Sequence, residues 1–120
     1  MLGEGKLQKV PREAVDFFNY LTKTQYPVYI FGADIAGKAV SKLLSQNGWQ
    51  VQGFIENNQN KCFVAIDGIY VFHSESMIEF DKNSVILIAS TYIADIISQI
   101  EALGFQNWAP ISFLVDHYNE

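Results

Sequence analysis

The stretch "YIFGADIAGKAV", residues 29–40, begins as a short apolar strand and continues through two glycines into an amphipathic helix. Two nucleotide-binding turns can be fitted to it. As Gly-x-Gly-x-x-Gly, it has Gly32 and Gly37 in place, but Asp34 stands where the middle glycine belongs. As Gly-x-x-x-x-Gly-Lys-Ser/Thr, it has both glycines and the lysine, but Ala39 replaces the hydroxyl that binds magnesium. The residues around this stretch decide between the two patterns.

The P-loop interpretation fails on its magnesium ligands. A P-loop enzyme also needs an acid at the end of a second apolar strand. The most strongly central strand of this chain, "VILIAS", ends instead in Ser90. Because Ala39 and Ser90 stand at the two ligand positions, the P-loop likeness is accidental. Lys38 is then expected to be a solvated helix residue.

The dinucleotide-binding interpretation has the structural context that it requires. The glycines follow a strand and open a helix, and a second apolar stretch, "WQVQGFIE", ends in Glu56. This acid comes about twenty residues after the motif, where an acid that binds a ribose hydroxyl belongs. An acid at this position repels a 2′-phosphate. The pattern therefore favours a ligand with an unphosphorylated ribose.

Apolar strands alternate with amphipathic helices along the chain. After a lead-in at residues 1–10, the pattern predicts a helix from Pro11, then the strand and helix of the glycine motif, and then a second strand. A hairpin about Asp67-Gly68 in "FVAIDGIYVF" follows, and after it a short helix, "ESMIEF", capped by Ser74. The last three predicted elements are the strand "VILIAS", the helix "YIADIISQIEALG" and the strand "ISFLV". This order predicts an α/β protein with a Rossmann-like, doubly wound, mostly parallel five-stranded sheet of order 3-2-1-4-5 and an extra N-terminal helix. At 120 residues, one domain over residues 11–120 is expected.

The composition narrows the classes of partner. With 49% apolar and 14% aromatic residues, the chain is expected to have a filled core. A net charge of -5 is opposite to the basic surface that nucleic acid requires, so no nucleic-acid partner is expected. Because Cys62 is the single cysteine, an internal disulfide is excluded. No apolar run is long enough for a transmembrane segment, and "MLGEGKLQKV" lacks the apolar region of a signal peptide. These features predict a soluble, cytoplasmic protein, which could also be one domain of a longer one.

Asp34 decides whether the turn can still hold a phosphate. A carboxylate about 4 Å from a phosphate repels it by roughly 4 kcal/mol at an effective dielectric constant near 20. An aspartate at a helix N-terminus also caps free N–H groups. We therefore predict that the Asp34 carboxylate occupies the position that a phosphate would fill. The alternative is a ligand whose phosphates lie elsewhere.

The stretch "GFIENNQNK", followed by "IDGIYVF", resembles the "GFIDDDPxK…GxPV" pattern of a Rossmann-type domain found in bacterial surface-polysaccharide enzymes. Related domains precede the catalytic part of nucleoside-diphosphate-sugar epimerases and dehydratases, precede sugar acyltransferases, and accompany FkbM-type methyltransferases. The resemblance covers about residues 27–115, nearly the whole domain, and nothing similar to a relative's catalytic domain is present. It implies a domain that binds NAD(P), a nucleotide or a nucleotide-sugar while the chemistry lies in another domain.

The glycine turn and this resemblance together assign nine residues to cofactor binding: Gly32, Ala33, Asp34, Ile35, Gly37, Glu56, Asn57, Ser90 and Thr91. The resemblance implies that Gly32, Ala33 and Gly37 form the phosphate turn and that Glu56 faces the nucleoside. The last two residues of the set would form the loop after the fourth strand.

The resulting expectation is a nucleotide or nucleotide-sugar binding module related to polysaccharide-biosynthesis enzymes, with NAD or a UDP-sugar as candidate ligand and a catalytic partner or fused domain. Catalysis by this chain alone is not expected, because Tyr92 has no Tyr-x-x-x-Lys partner. No metal site is expected, because His73, His117 and Cys62 lack ligand spacing. The alternative is a degenerate Rossmann scaffold that lost phosphate binding through Asp34 and serves protein contacts or a homodimer.

Overall fold

The computed structural model describes residues 25–111 of the chain. Six strands within this range form one sheet of order β3-β4-β2-β1-β5-β6. Their bounds are Val28–Phe31 (β1), Gly53–Glu56 (β2), Ala65–Ile66 (β3), Ile69–His73 (β4), Val85–Ile88 (β5) and Trp108–Pro110 (β6). Neighbouring strands are parallel except for β3 and β4, which are antiparallel. The architecture is a mostly parallel α/β sheet.

Two α-helices cover opposite faces of this sheet. Helix α1, Ile35–Gln46, connects β1 to β2, and helix α2, Ile93–Ala102, connects β5 to β6. Val40 and Leu44 of α1 lie in one apolar core cluster, whereas Ile96 and Ile100 of α2 lie in a second. Two short 3-10 segments, Gln59–Lys61 and Ser74–Glu79, follow β2 and β4. The two-sided coverage confirms the doubly wound arrangement.

The central strands are buried on both sides, as their continuous apolar sequences predict. All four residues of β1 and all four of β5 are buried. Ile30 points into the core cluster on the α1 side, and its neighbour Tyr29 points into the cluster on the α2 side. Tyr29 stacks on the ring of Phe80, with 4.4 Å between ring centroids. The sheet therefore separates two apolar layers.

The predicted strand order is confirmed. If β4 counts as the third strand, the order 3-2-1-4-5 is that of β4-β2-β1-β5-β6. The hairpin about Asp67-Gly68 is also confirmed, and its first strand, β3, adds a sixth strand at the sheet edge. Asp67 and Gly68 have φ angles of 51° and 81°, as a two-residue type I′ hairpin turn requires.

Several predicted boundaries were wrong. Strand β2 begins at Gly53, four residues after Trp49. The last strand that the structure describes is Trp108–Pro110, with Ile111 just beyond it. Pro110 is tolerated because β6 lies at a sheet edge, where a missing N–H breaks no central ladder. The helix predicted from Pro11 and the rest of "ISFLV" lie outside the described residues.

The predicted cap of "ESMIEF" was wrong by one residue. The segment is a 3-10 helix, and its N-cap is His73, whose ring Nδ1 accepts the N–H of Glu75 at 3.2 Å. Ser74, predicted to be the cap, is buried within the segment.

No helix in the range described has the length and apolar character that crossing a bilayer would require.

Candidate functional site

The carboxyl ends of β1, β2 and β5 open into a groove of about 990 Å³. It lies at the topological switch point, because the chain leaves β1 towards β2 on one side and β5 lies on the other. Seven of the nine predicted cofactor-binding residues line it: Gly32, Asp34, Ile35, Glu56, Asn57, Ser90 and Thr91. The other two, Ala33 and Gly37, are buried and are not among the lining residues. The topology thus brings seven of the nine predicted residues to one groove.

The two glycines of the turn allow a close approach of backbone to backbone. Gly32 has φ +116°, and a Cβ there would lie 2.5 Å from the carbonyl oxygen of Ala89. A Cβ on Gly37 would overlap the carbonyl oxygen of Gly32. The middle position differs, since Asp34 is extended with φ −85° and ψ −163°, which any residue can adopt. The backbone therefore requires glycine at the first and third positions of the motif and not at the second.

Glu56 connects the glycine turn to the end of β2 through a hydrogen bond. Its Oε2 accepts a hydrogen bond from the N–H of Ala33 at 2.8 Å, and the N–H of Gly32 donates to the carbonyl of Ile55 at 2.8 Å. The Ala33 contact uses one carboxylate oxygen of a side chain that also lines the groove. The second oxygen, Oε1, is of the chemical type that accepts a ribose hydroxyl.

The Asp34 carboxylate does not make the capping contact that the sequence predicted for it. Asp34 is the N-cap residue of α1, but its side chain makes no capping hydrogen bond. Both carboxylate oxygens instead accept from the Lys61 ammonium, at 2.9 and 3.0 Å. A full opposite charge competes better for the carboxylate than the partial charges of free N–H groups. The repulsion between Asp34 and a phosphate was estimated from the sequence for an unpaired carboxylate. Its pairing with Lys61 reduces that repulsion.

The loop that carries Lys61 is fixed by hydrogen bonds of its own. The Asn58 side chain accepts the N–H of Asn60 at 3.0 Å, and the N–H of Lys61 donates to the carbonyl of Asn58 at 2.9 Å. The Cys62 thiol donates to the carbonyls of Asn58, at 3.3 Å, and of Glu56, at 3.6 Å. Burial, with a smaller effect of the Glu56 charge, raises the pKa of this thiol. Cys62 is thus a buried packing residue.

Among the remaining predicted residues, Asn57 makes a long-range contact and Ser90 a local one. Asn57 and Gln99 exchange two side-chain hydrogen bonds, at 3.0 and 2.8 Å, which join the loop after β2 to α2. The Ser90 hydroxyl accepts the N–H of Tyr92 at 3.1 Å and so shapes the start of α2. Thr91 and Tyr92 are exposed at that end of the groove.

Sequence reasoning missed Lys61 and Gln99. The only signal for Lys61 was its place in "GFIENNQNK", where the resembling pattern also has a lysine. Gln99 had no signal, because its partner lies 42 residues earlier.

Within residues 25–111, no group of three or more His, Cys, Asp or Glu side chains has an arrangement that could hold a metal ion.

Comparisons with known proteins give a family and a fold. The family model described as C2185-like, N-terminal, matches residues 24–111. No curated protein sequence matches this chain. The crystal structure of UDP-D-quinovosamine 4-dehydrogenase from Vibrio fischeri is similar, with a TM-score of 0.58 and 19% identity over 78% of this chain and 86% of that one. At this identity the likeness bears on the fold, which is of the Rossmann type. The chain therefore belongs to the C2185-like N-terminal family.

Proposed function

We propose that the groove binds a nucleotide or nucleotide-sugar, with the diphosphate near the glycine turn and the ribose near Glu56. One observation carries the proposal. The glycine turn, the Glu56 carboxylate and the paired Lys61 ammonium all line a single groove at the switch point of the sheet. Open α/β sheets bind their ligands at this position. The proposal assigns binding to this chain and leaves the chemistry to a catalytic partner or fused domain.

Two exposed apolar side chains in the groove support a small-molecule ligand. Ile35, at the start of α1, is 86% exposed, and Tyr92, before α2, is 70% exposed. Both line the groove. Ligand sites typically combine apolar walls with a few polar groups, and a ring stacked on these side chains would cover surface that is otherwise left in water. The groove thus has an apolar part beside its charged part.

The comparisons suggest which ligands to test first. The similar structure is named a dehydrogenase of a UDP-sugar, so UDP compounds and NAD are the first candidates. Glu56 favours an unphosphorylated ribose, because its carboxylate repels a 2′-phosphate. We therefore expect UDP, UDP-sugars or NAD to bind better than NADP.

A thermal-shift screen followed by calorimetry tests the proposal. At 100 times its dissociation constant, a ligand of the native state adds about 2.7 kcal/mol of stability. We expect UDP, a UDP-sugar or NAD to raise the melting temperature by about 10 °C at that excess. CoA compounds complete the screen as ligands of a different shape.

A matched pair of isoleucine variants shows whether the shift comes from the groove. Ile35→Glu adds a negative charge to the groove and should abolish the shift. Ile78→Glu changes an isoleucine that is 69% exposed and does not line the groove, so the shift should persist. If no compound shifts the wild type, and its particles in solution are larger than a monomer, the scaffold function replaces ligand binding. Phe63, Val64 and Tyr70, exposed near the β3 edge, would then be the first candidates for contact.

A further inference from the structure

Two lysines line the groove, and they differ in how firmly they are held. Lys38 is an exposed residue of α1. The Lys61 ammonium is bound by both oxygens of Asp34, at 2.9 and 3.0 Å. This pair joins the loop after β2 to the glycine turn, 27 residues earlier in the chain. The ion pair therefore fixes a positive charge at the side of the turn.

We infer that Lys61 binds the diphosphate of the ligand, and that Asp34 is a positioning residue that holds the Lys61 ammonium beside the glycine turn. The inference rests on the proposed function, because it assigns a role within the same groove. It also gives Asp34 a purpose at the position where the motif usually has glycine. The aspartate would not exclude phosphate but would hold the group that attracts it.

The geometry of the pair leaves room for a ligand. An ammonium has three N–H donors, and the two oxygens of one carboxylate do not require all of them. The side chains of Lys61 and Asp34 are 43% and 68% exposed, so a ligand can reach both from solvent. The hydrogen bond to Asp34 is the main cause of a raised pKa for Lys61, and the group is therefore positively charged throughout the neutral range.

Pre-ordering distinguishes Lys61 from Lys38 as a phosphate contact. Ordering a free lysine side chain on binding costs conformational entropy. Lys61 extends from a 3-10 segment whose backbone is fixed, and its ammonium is already held by Asp34. Part of that entropy has thus been lost before the ligand arrives. Lys61 is expected to contribute more to phosphate affinity than Lys38 does.

Charge balance gives an independent argument for the same residue. Without Lys61, the glycine turn would present two carboxylates, those of Asp34 and Glu56, towards an incoming phosphate. Both would repel it. Lys61 changes the formal charge of this part of the groove from -2 to -1, because its single positive charge is set against the Asp34 and Glu56 carboxylates. Its ammonium also has an N–H donor left for a phosphate oxygen. The preferred class is then a nucleoside diphosphate or its sugar ester.

Calorimetry with paired compounds tests this role. UDP and ADP are titrated alongside uridine and adenosine, which lack the phosphates, against wild type, Lys61→Met and Lys42→Met. Lys42 is an exposed lysine of α1 outside the groove and is the matched control. We expect Lys61→Met to weaken binding of the diphosphate about 30-fold and that of the nucleoside less than threefold. Lys42→Met should change neither, and melting temperatures without ligand show whether all variants fold.

Two further variants sharpen the result. Lys61→Met leaves Asp34 unpaired, so the double variant Asp34→Asn with Lys61→Met should recover about tenfold of the lost affinity without reaching wild type. If Lys61→Met binds the diphosphate as tightly as wild type does, or if Lys38→Met loses more affinity, the inference is overturned while the proposed function stands. If wild type binds no compound at all, the proposed function itself fails.

Discussion

Replacing Gly37 with alanine is expected to lower the free energy of unfolding by about 3 kcal/mol. The added Cβ would overlap the carbonyl oxygen of Gly32 and would lie 3.5 Å from Cγ2 of Ile30. The Gly32 peptide cannot move aside easily, because the N–H groups of Gly32 and Ala33 are held by hydrogen bonds of 2.8 Å to Ile55 and Glu56. Helix α1 would have to shift away from the turn. Urea unfolding followed by circular dichroism measures the loss.

Gly48 is the matched control for this substitution. It has φ +89°, and a Cβ there would meet no atom within 4 Å. Gly48→Ala thus reports the conformational cost of a positive φ without a steric clash, about 1 kcal/mol. Equal losses at the two positions would show that α1 adjusts to the added methyl group. In that case, close packing of helix on turn would not be the reason for glycine at position 37.

The Gly37 substitution also has an expected effect on the groove. The peptide that the new Cβ strikes belongs to the turn that Glu56 fastens to β2. A displaced turn would move Asp34 away from Lys61, since Asp34 directly precedes α1. Under conditions where Gly37→Ala remains folded, weaker nucleotide binding is therefore expected as well. Gly48→Ala should leave binding unchanged, because Gly48 does not line the groove.

The sequence predicted the elements whose signals are local. Continuous apolar runs marked β1 and β5, and the Asp67-Gly68 pair marked the hairpin. The number of residues between the glycine motif and Glu56 also predicted that Glu56 lies beside the glycine turn. That number matches one helix, one connecting loop and one strand of ordinary length. These features brought seven of the nine predicted residues to the groove.

What the sequence did not predict depends on contacts between distant residues. Asp34 has a strong local preference to cap α1, and only the folded loop shows that Lys61 comes within 2.9 Å of it. The exchange of hydrogen bonds between Asn57 and Gln99 depends on how α2 lies over the sheet. The position of β6 was missed because the apolar run used to predict it begins at Ile111, whereas the residues that pair with β5 are Trp108–Pro110.

Truncating Phe54 to alanine is expected to cost about 3–5 kcal/mol, the range for large aromatic side chains in cores. Phe54 is 1% exposed and lies in β2, within the core cluster that α1 covers. The substitution would remove apolar contacts and leave a cavity between a central strand and the helix. Since β2 ends two residues later in Glu56, the loss also weakens the element that holds the glycine turn.

Phe63 provides the comparison with the same chemical change. It is 57% exposed and lies in the loop before β3, so Phe63→Ala removes little buried surface, and a change within about 0.5 kcal/mol is expected. Both phenylalanine and alanine bear the strain of its φ of 65°, which therefore cancels from the difference. Chemical unfolding of the two variants should give a gap of several kcal/mol with similar denaturant dependence. A small difference in free energy between the two variants would mean that α1 moves to fill the space left at Phe54. The helix would then be less firmly fixed on the sheet than the buried positions of Val40 and Leu44 indicate.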